Sequence, residues 1–162
     1  MYYIGIDLGT SACKLLLADE EGRVLNTVTE DYPLHLPRPG WSEQDPADWW
    51  RAVSDGIPKL LAGFDTSRLR GIGVAGQMHG LVALDKVGVV IRPAIIWNDG
   101  RTAEETDYLN HEIGRERVSA YTANIAFAGF TAPKLLWLAK HEPDNSKRIA
   151  KILLPKDYIN YK

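Results

Sequence analysis

The chain has 162 residues, of which 45% are hydrophobic and 25% are charged. That balance is typical of a globular protein and argues against intrinsic disorder. Nineteen basic and 21 acidic side chains give a formal net charge of −2, which does not indicate a nucleic-acid partner. The apolar stretch 71–84 is too short to span a bilayer, and the single cysteine, Cys13, excludes an internal disulfide. We therefore expect one soluble cytoplasmic domain over residues 1–162.

The first third of the sequence predicts three antiparallel strands. Residues 3–8, 13–17 and 23–29 have strand-like patterns and are joined by short turns at 9–11 and 20–22. Connections this short make the three strands antiparallel neighbours. In the first strand Asp7 shares a face with Gly5, while the apolar side chains of Ile4, Ile6 and Leu8 lie on the other face.

The middle of the chain predicts a loop, a helix and a buried strand. Residues 32–40 contain three prolines and predict an extended loop. Asp45 followed by Pro46 predicts the start of a helix, in which Gly56 and Pro58 predict a kink or a break. The apolar residues at helical spacing are Trp49, Trp50, Val53, Ile57, Leu60 and Leu61. The continuous apolar run 70–75 predicts a strand buried on both faces.

The second half is predicted to be mostly helical, with short strands at 81–84, 91–97 and 151–154. Thr102 with Glu105 fits a capping box at one helix start. Another helix is predicted to open at 131–134, with a core face formed by Leu135, Leu136 and Leu138. A last helix begins near Pro155 and reaches Lys162 without a C-cap signal, so we expect the chain to be truncated.

The first candidate site lies at the end of the first strand. Asp7 is followed by Gly9, Thr10 and Ser11, which form a turn with backbone N–H groups, hydroxyls and little bulk. This combination suits a phosphate and its Mg²⁺, which takes oxygen ligands and keeps several waters. The alternative is an Asx-turn in which Asp7 binds its own backbone, and the sequence leaves both interpretations open.

Two further strand ends carry polar side chains. Gln77, Met78 and His79 lie between two glycines after an apolar strand, where α/β proteins bind ligands. Trp97 and Asp99 end the next apolar stretch, and an indole face beside a carboxylate can hold a sugar. The alternatives are a plain hairpin turn for the first group and, for Asp99, a cap of the following helix.

Other kinds of chemistry are disfavoured. The histidines have no spacing that indicates a metal site, and the sequence has neither a nucleophile elbow nor a GxxxxGK[ST] loop. Cys13 lies within a predicted strand and is expected to be a core residue rather than a nucleophile. Packing roles are expected for the other tryptophans: Trp41, Trp49, Trp50 and Trp137.

Six segments taken in order resemble the FGGY family of carbohydrate kinases. They are YIGIDLGTS (3–11), WSEQDP (41–46) with Trp49-Trp50, AGQMHG (75–80), IWNDGR (96–101), GFTAPK (129–134) and LLPKDY (153–158). The Asp-Leu-Gly-Thr portion is shared with actin-like and heat-shock ATPases. The Gln-Met-His-Gly and Trp-Asn-Asp portions are far more specific, and they resemble the members that phosphorylate D-xylulose. The resemblance runs from end to end of the chain and identifies it as the N-terminal part of such a member.

The resemblance implies an α/β fold, a ribonuclease H-like domain of the actin/hexokinase superfamily. In it a mixed sheet, including the antiparallel meander, has helices on both faces. The implied reaction is transfer of the γ-phosphate of ATP, with Mg²⁺, to the 5-hydroxyl of D-xylulose, which gives D-xylulose 5-phosphate in pentose catabolism. The implied partner is therefore a small sugar, with no nucleic acid and no membrane, and a homodimer is compatible with the sequence.

The same resemblance assigns roles to the strand-end residues. Asp7 would act near the Mg²⁺, through water, and near the phosphates. Nucleotide contacts would come from Thr10, Ser11 and Lys14. The sugar would contact Gln77, Met78, His79, Trp97 and Asp99.

The family's catalytic base is an aspartate in a Gly-Asp-Asn stretch, which residues 1–162 do not contain. We therefore expect the base and the nucleotide-binding second domain beyond Lys162, and the chain alone to be inactive or nearly so. Two alternatives stay open. One is a family member acting on ribulose, fuculose or glycerol, and the other is a non-catalytic actin-like module that binds nucleotide. The glycine and proline at 56 and 58 depart from the family pattern, in which that helix is continuous.

Overall fold

The computed structural model describes residues 1–162, which divide into two compact units. The first unit comprises Met1–Leu34, Asp45–Met78 and Pro155–Lys162, and the second comprises His35–Gln44 and His79–Leu154. The prediction of one domain over residues 1–162 does not distinguish these units and stays a prediction. None of the helices combines the length and the apolar character that crossing a bilayer requires.

The elements follow one another as strands first and mainly helices later. In chain order they are β1 (Tyr2–Leu8), β2 (Ala12–Asp19), β3 (Val24–Asp31), β4 (Glu43–Gln44), α1 (Pro46–Leu60), β5 (Leu69–Gly76), β6 (Val82–Leu84), β7 (Ala94–Ile95), α2 (Ala103–Asp107), α3 (Arg115–Thr122), α4 (Thr131–His141), α5 (Pro143–Arg148), β8 (Lys151–Leu153) and α6 (Pro155–Tyr161). A 3₁₀ turn at Thr66–Arg68 precedes β5, and a π-helix at Tyr108–Gly114 lies between α2 and α3.

The first unit is built on a four-stranded mixed sheet in the order β3-β2-β1-β5. Strands β1 to β3 are antiparallel, as the short turns predict, and β5 runs parallel to β1. Alternation along β1 is confirmed, because Ile4, Ile6 and Leu8 are buried while Asp7 is exposed. Helix α1 packs on β2 and β3 and also contacts α6, which packs on β5. The α/β fold class is confirmed, whereas both helices of this unit lie on one side of the sheet.

Helix α1 begins as predicted, because the Asp45 side chain accepts a hydrogen bond from the Ala47 N–H at 2.9 Å. The predicted break is wrong, since the helix continues through Pro58 to Leu60. Pro58 lies in the last turn, where its missing N–H removes one helix bond near an end that frays in any case. Gly56 instead serves packing, because a Cβ there would lie 2.7 Å from Leu15 Cδ1 on β2.

Strand β5 is not buried on both faces, so that prediction is wrong. Its Ile72 side chain is 53% exposed. Within residues 1–162, β5 is an edge strand with β1 as its single neighbour, so one side of it is uncovered in this part of the protein. An apolar run shows that a strand tolerates burial on both faces, but neighbouring elements decide whether burial occurs.

The end of β5 approaches β1 so closely that only glycine fits. A Cβ on Gly76 would lie 2.7 Å from Leu8 Cβ and 2.9 Å from Leu8 O, whereas a Cβ on Gly73 meets nothing within 4 Å. We expect Gly76→Ala to lower the free energy of unfolding by about 1–3 kcal/mol, because backbone must shift. Urea denaturation measures this, with Gly73→Ala as the matched control, expected within about 0.5 kcal/mol of the unsubstituted protein. Equal losses in the two variants would contradict the prediction.

The second unit combines two short antiparallel pairs, β4 with β7 and β6 with β8, with the helices α2 to α5. Its core includes Leu81, Ile95, Trp137 and Leu138. The predicted core face of α4 is partly wrong. Leu138 is buried, but Leu135 and Leu136 are only half-buried, and the positions facing inward include Lys134 and Trp137.

The predicted capping box at α2 is also wrong. Thr102 precedes the helix, but its side chain makes no capping hydrogen bond. Its hydroxyl donates instead to the Ala128 carbonyl at 2.7 Å. The hydroxyl of this buried threonine therefore hydrogen-bonds a distant loop and does not cap its own helix.

Candidate functional site

Asp7 stands on an open part of the first unit's sheet. It pairs in register with Lys14 on β2 and with Ala75 on β5. Its neighbours along the same face are glycines, Gly5 on β1 and Gly73 on β5, which pair with each other. Because directly paired strand residues point to the same face, an exposed carboxylate and an exposed ammonium lie side by side there, next to the side chain of Leu16, which pairs with Gly5.

The turn that follows Asp7 is held from several sides. The Gly9 N–H donates to the Ala12 carbonyl at 3.0 Å, and the Gly9 carbonyl accepts from the Tyr32 hydroxyl at 2.5 Å and from Gln77 Nε2 at 3.4 Å. The turn itself therefore uses the Gly9 N–H, and the predicted phosphate site at this turn stays a prediction. The hydroxyls of Thr10 and Ser11 remain the turn's candidates for nucleotide contact.

The arrangement of donors fits a magnesium ion bound mainly by its substrate. Residues 1–162 contain no cluster of three or more His, Cys, Asp or Glu side chains that could hold a metal by itself. Mg²⁺ bound with nucleotides uses one or two carboxylates, the phosphates and several waters. The single exposed carboxylate of Asp7 is compatible with that mode.

Cys13 lies on the opposite side of the sheet from Asp7 and is fully buried. Burial raises the pKa of its thiol to about 11, and the nearby carboxylates of Asp7 and Glu30 add to the shift. A thiol with so high a pKa stays protonated and is a poor nucleophile. The expectation of a core cysteine is confirmed.

Gln77 and Met78 continue the chain beyond β5 and differ in exposure. Gln77 is buried, and its backbone N–H donates to the Leu8 carbonyl at 2.7 Å. Together with the bond from its side chain to Gly9, this ties Gln77 to the Asp7 turn. Met78 is 62% exposed. Within the first unit the structure thus joins Gln77 to the predicted phosphate site, and the sugar contacts of both residues stay predictions.

His79 is the first residue of the second segment of the second unit, and its backbone is strained. Its φ of +61° lies in the left-handed region that non-glycine residues rarely adopt. The imidazole stacks on Phe130 with ring centroids 4.0 Å apart. Burial, and then the charge of Lys134, lower the pKa of His79, so the ring is neutral at neutral pH and presents one donor and one acceptor nitrogen.

Lys134 is the least expected residue near His79. Its side chain is fully buried, and its ammonium donates to the carbonyls of His79 at 2.8 Å and of Gly129 at 2.6 Å. Burial is the main cause that lowers the pKa of Lys134 to about 8. The nearby charge of Asp99 raises this pKa, and that of Arg101 lowers it. The ammonium form therefore predominates at neutral pH. Lys134 is not among the predicted site residues, although it lies in the family segment 129–134 directly before the predicted core face of α4.

Trp97 and Asp99 end the β7 stretch with opposite exposures. Trp97 is 47% exposed, and a Cβ on Gly129 would collide with its carbonyl oxygen. Asp99 is buried, and its carboxylate accepts from the Ser42 N–H at 2.6 Å and from the Arg101 side chain at 2.7 and 2.9 Å. It does not cap α2, whose N-cap is Thr102. A sugar contact to Asp99 would have to compete with these bonds, and it stays a prediction.

Arg101 anchors a buried ionic cluster that includes Asp99. Its guanidinium lies 3.7 Å from the ring centroid of Trp41 and 4.9 Å from that of Trp137, and it pairs with Glu43 at 2.8 Å. Glu43 also pairs with Arg92. The packing roles expected for Trp41 and Trp137 are confirmed. Arg101 lies in the Trp-Asn-Asp-Gly-Arg stretch but is not among the predicted site residues.

The second unit also contains an apolar cavity of about 610 Å³ that is open to solvent on one side. His79 and Phe130 contribute to its wall, and the remaining lining comes mainly from the π-helix, α3 and the start of α4. The cavity therefore lies next to the stacked imidazole that the sequence assigns to sugar binding.

The N-terminal domain of the FGGY family of carbohydrate kinases matches residues 2–162. The chain belongs to this family. Xylulose kinase from Escherichia coli is 47% identical to it over 157 residues, which are 97% of this chain and 32% of the relative. The chain thus spans about a third of the length of the curated relatives it matches.

Solved structures of the family have the same fold. The crystal structure of a xyloylose kinase from Brucella ovis superposes with a TM-score of 0.93 at 45% identity, covering 99% of this chain and 34% of that protein. A gluconate kinase from Lactobacillus acidophilus superposes with a TM-score of 0.92 at 27% identity, covering 99% and 32%. These two kinases are named for different substrates, yet both superpose equally well on this chain. The backbone shape therefore does not distinguish between them, whereas the sequence identity does.

Proposed function

We propose that the full-length protein transfers the γ-phosphate of ATP, with Mg²⁺, to the 5-hydroxyl of D-xylulose and yields D-xylulose 5-phosphate for pentose catabolism. The observation that carries this proposal is the 47% identity to a xylulose kinase over 97% of the chain. The family match over residues 2–162 includes the Asp7 turn and both the Gln77–His79 and Trp97–Asp99 strand ends. ATP and its magnesium complex are supplied by the cytoplasm, where we place the protein.

The Asp7 face would serve the phosphates. Phosphoryl transfer requires little covalent chemistry from the protein, so catalysis depends mainly on positioning the reactants and on neutralising phosphate charge. Bound Mg²⁺ would supply neutralisation of phosphate charge. Asp7 would hold the water shell of that ion, and Lys14, paired with Asp7 in register, would add a positive charge on the same face. Thr10 and Ser11 would donate hydroxyl hydrogen bonds to the nucleotide.

The residues after β5 and β7 would serve the sugar. The neutral imidazole of His79 can bind one hydroxyl as donor and another as acceptor. The exposed side chains of Met78 and Trp97 offer apolar surface for the carbon faces of the sugar. Gln77 and Asp99 are held by main-chain partners and would act mainly by fixing these two segments.

The reaction also needs a base that accepts the proton of the attacking hydroxyl. Residues 1–162 lack the Gly-Asp-Asn stretch that carries the family's catalytic aspartate. We therefore assign the activity to the full-length protein and expect residues 1–162 alone to release no ADP in the presence of sugar.

A coupled assay of ADP release tests the proposal on the full-length gene product. The panel contains D-xylulose, D-ribulose, L-ribulose, L-fuculose, glycerol and gluconate, the last because a gluconate kinase has nearly the same fold. We expect kcat/KM for D-xylulose to exceed that for each other compound by at least about tenfold, because polar groups that pair with one epimer are left unpaired by another. Preference for another compound would keep the kinase and replace the substrate. No turnover of any would favour a nucleotide-binding module without kinase activity.

A further inference from the structure

Lys134 joins His79 to a segment that packs against Trp97, and the proposed function assigns both His79 and Trp97 to the sugar. Its ammonium donates to the carbonyl of His79 and to that of Gly129. Gly129 in turn lies so close to the Trp97 carbonyl that no side chain fits between them. One buried cation therefore ties the His79 loop to the segment that packs against Trp97.

The backbone at His79 needs such support. A non-glycine residue in the left-handed region is held there by its surroundings rather than by its own preference. The His79 carbonyl accepts from the Lys134 ammonium at 2.8 Å and from the Thr131 hydroxyl at 3.2 Å, so both donors come from the first turn of α4. The same turn follows directly on Phe130, on which the imidazole stacks. Backbone and ring of His79 are thus held by one short segment.

The location is unfavourable for a lysine on general grounds. Its ammonium is fully buried, and it lies in the first turn of a helix, where the macrodipole is positive. Burial is the main cause that lowers its pKa to about 8, so the surroundings disfavour the charged form. A methionine would fill the same space without this cost. What a methionine cannot do is donate hydrogen bonds to the two carbonyls.

We propose that Lys134 is a positioning residue for the sugar site, which holds the His79 backbone in its left-handed conformation and thereby sets the direction of the imidazole. This inference rests on the proposed function, since that function assigns His79 to the sugar. The contacts that hold His79 come from Phe130, Thr131 and Lys134, none of which the proposed function assigns to the nucleotide.

The first test compares Lys134→Met in the full-length protein with the unsubstituted enzyme. We expect the KM for D-xylulose to rise about tenfold or more, because a charge-assisted hydrogen bond is lost from the residue that aims the imidazole. The KM for ATP and kcat should stay within about twofold, because the lost interaction is made equally in the ground state and the transition state. Lys140→Met is the matched control, since Lys140 is on the same helix but exposed and paired with Glu104. It should leave all three constants unchanged.

A second readout does not depend on turnover. The imidazole carbon-bound protons of His79, assigned with His79→Gln, lie against the Phe130 ring and feel its ring current. We expect Lys134→Met to move these resonances toward those of an exposed histidine and Lys140→Met to leave them in place. If the unsubstituted enzyme phosphorylates no sugar, the proposed function fails, and this spectrum alone decides whether Lys134 positions His79.

Thr131→Val keeps the inference testable if Lys134→Met does not fold. It removes the second donor to the His79 carbonyl and preserves side-chain shape. A smaller rise in the KM for D-xylulose with a shift of the imidazole resonances supports the proposal. A Lys134→Met variant that is less stable but has an unchanged KM for D-xylulose and unchanged imidazole resonances would overturn the proposal. If Lys134→Met is unfolded, an unchanged KM and unchanged resonances in Thr131→Val would overturn it.

Discussion

Asp7→Asn in the full-length protein is expected to lower kcat for sugar-dependent ADP release by about a thousandfold, since several kcal/mol of phosphate charge stabilisation depend on the carboxylate. The substitution keeps the size and the hydrogen-bonding shape of the side chain and removes its charge. Because Asp7 is exposed at the end of β1, the free energy of unfolding should hardly change. Steady-state kinetics with saturating D-xylulose and varied Mg-ATP measure the effect, and urea denaturation verifies the fold.

The matched control for this prediction is Glu21→Gln. Glu21 is likewise an exposed carboxylate, but it lies in the turn between β2 and β3, at the opposite end of these strands from the Asp7 turn. It should leave kcat within about twofold of the unsubstituted enzyme, as substitutions of exposed residues outside a site usually do. Equal activity losses in the two variants would show that the general charge of this sheet matters and that Asp7 has no particular role.

Arg101→Met is expected to lower the free energy of unfolding by about 3–5 kcal/mol, the largest stability loss among these variants, because removing one partner leaves buried carboxylates uncompensated. The guanidinium is fully buried and pairs with Asp99 at 2.7 Å and with Glu43 at 2.8 Å. Methionine replaces most of its volume between the Trp41 and Trp137 rings. The loss therefore reports on charge and hydrogen bonds more than on a cavity.

Arg51→Met controls for the loss of an arginine as such. Arg51 pairs with Asp48 at 2.7 Å on the exposed side of α1. A solvent-exposed pair of this kind contributes little, so a change below about 0.5 kcal/mol is expected. Urea denaturation of both variants, followed by far-ultraviolet circular dichroism, gives the two values. If Arg101→Met were no more damaging than Arg51→Met, the buried ionic cluster would not stabilise the second unit.

The order of the strands in the first unit could largely be predicted because it depends on short-range patterns. Alternation along β1 buries Ile4 and Ile6 and exposes Asp7. Two short turns leave antiparallel pairing as the only geometry for β1 to β3. The Asp45-Pro46 pair begins α1 for equally local reasons, since an N-cap acts within the first helical turn.

Predictions of burial and of side-chain partners were less successful, because these depend on the whole fold. The apolar run of β5 is compatible with a central strand and with an edge strand. In the sheet formed by residues 1–162, β5 is at the edge. Thr102 and Glu105 fit a capping box, but the hydroxyl of Thr102 bonds a carbonyl 26 residues away. No local pattern contains that alternative.

Motifs and periodicities are properties of neighbouring residues, and they were enough to predict the family, the α/β class and the strand ends that carry polar residues. The hydrogen-bond partners of those polar residues follow from the fold. The Ser42 N–H bonds Asp99 across 57 residues, and the Lys134 ammonium bonds the His79 carbonyl across 55. A buried polar group takes whichever partner the fold brings within about 3 Å. That partner is set by packing between distant segments, which adjacent residues do not encode.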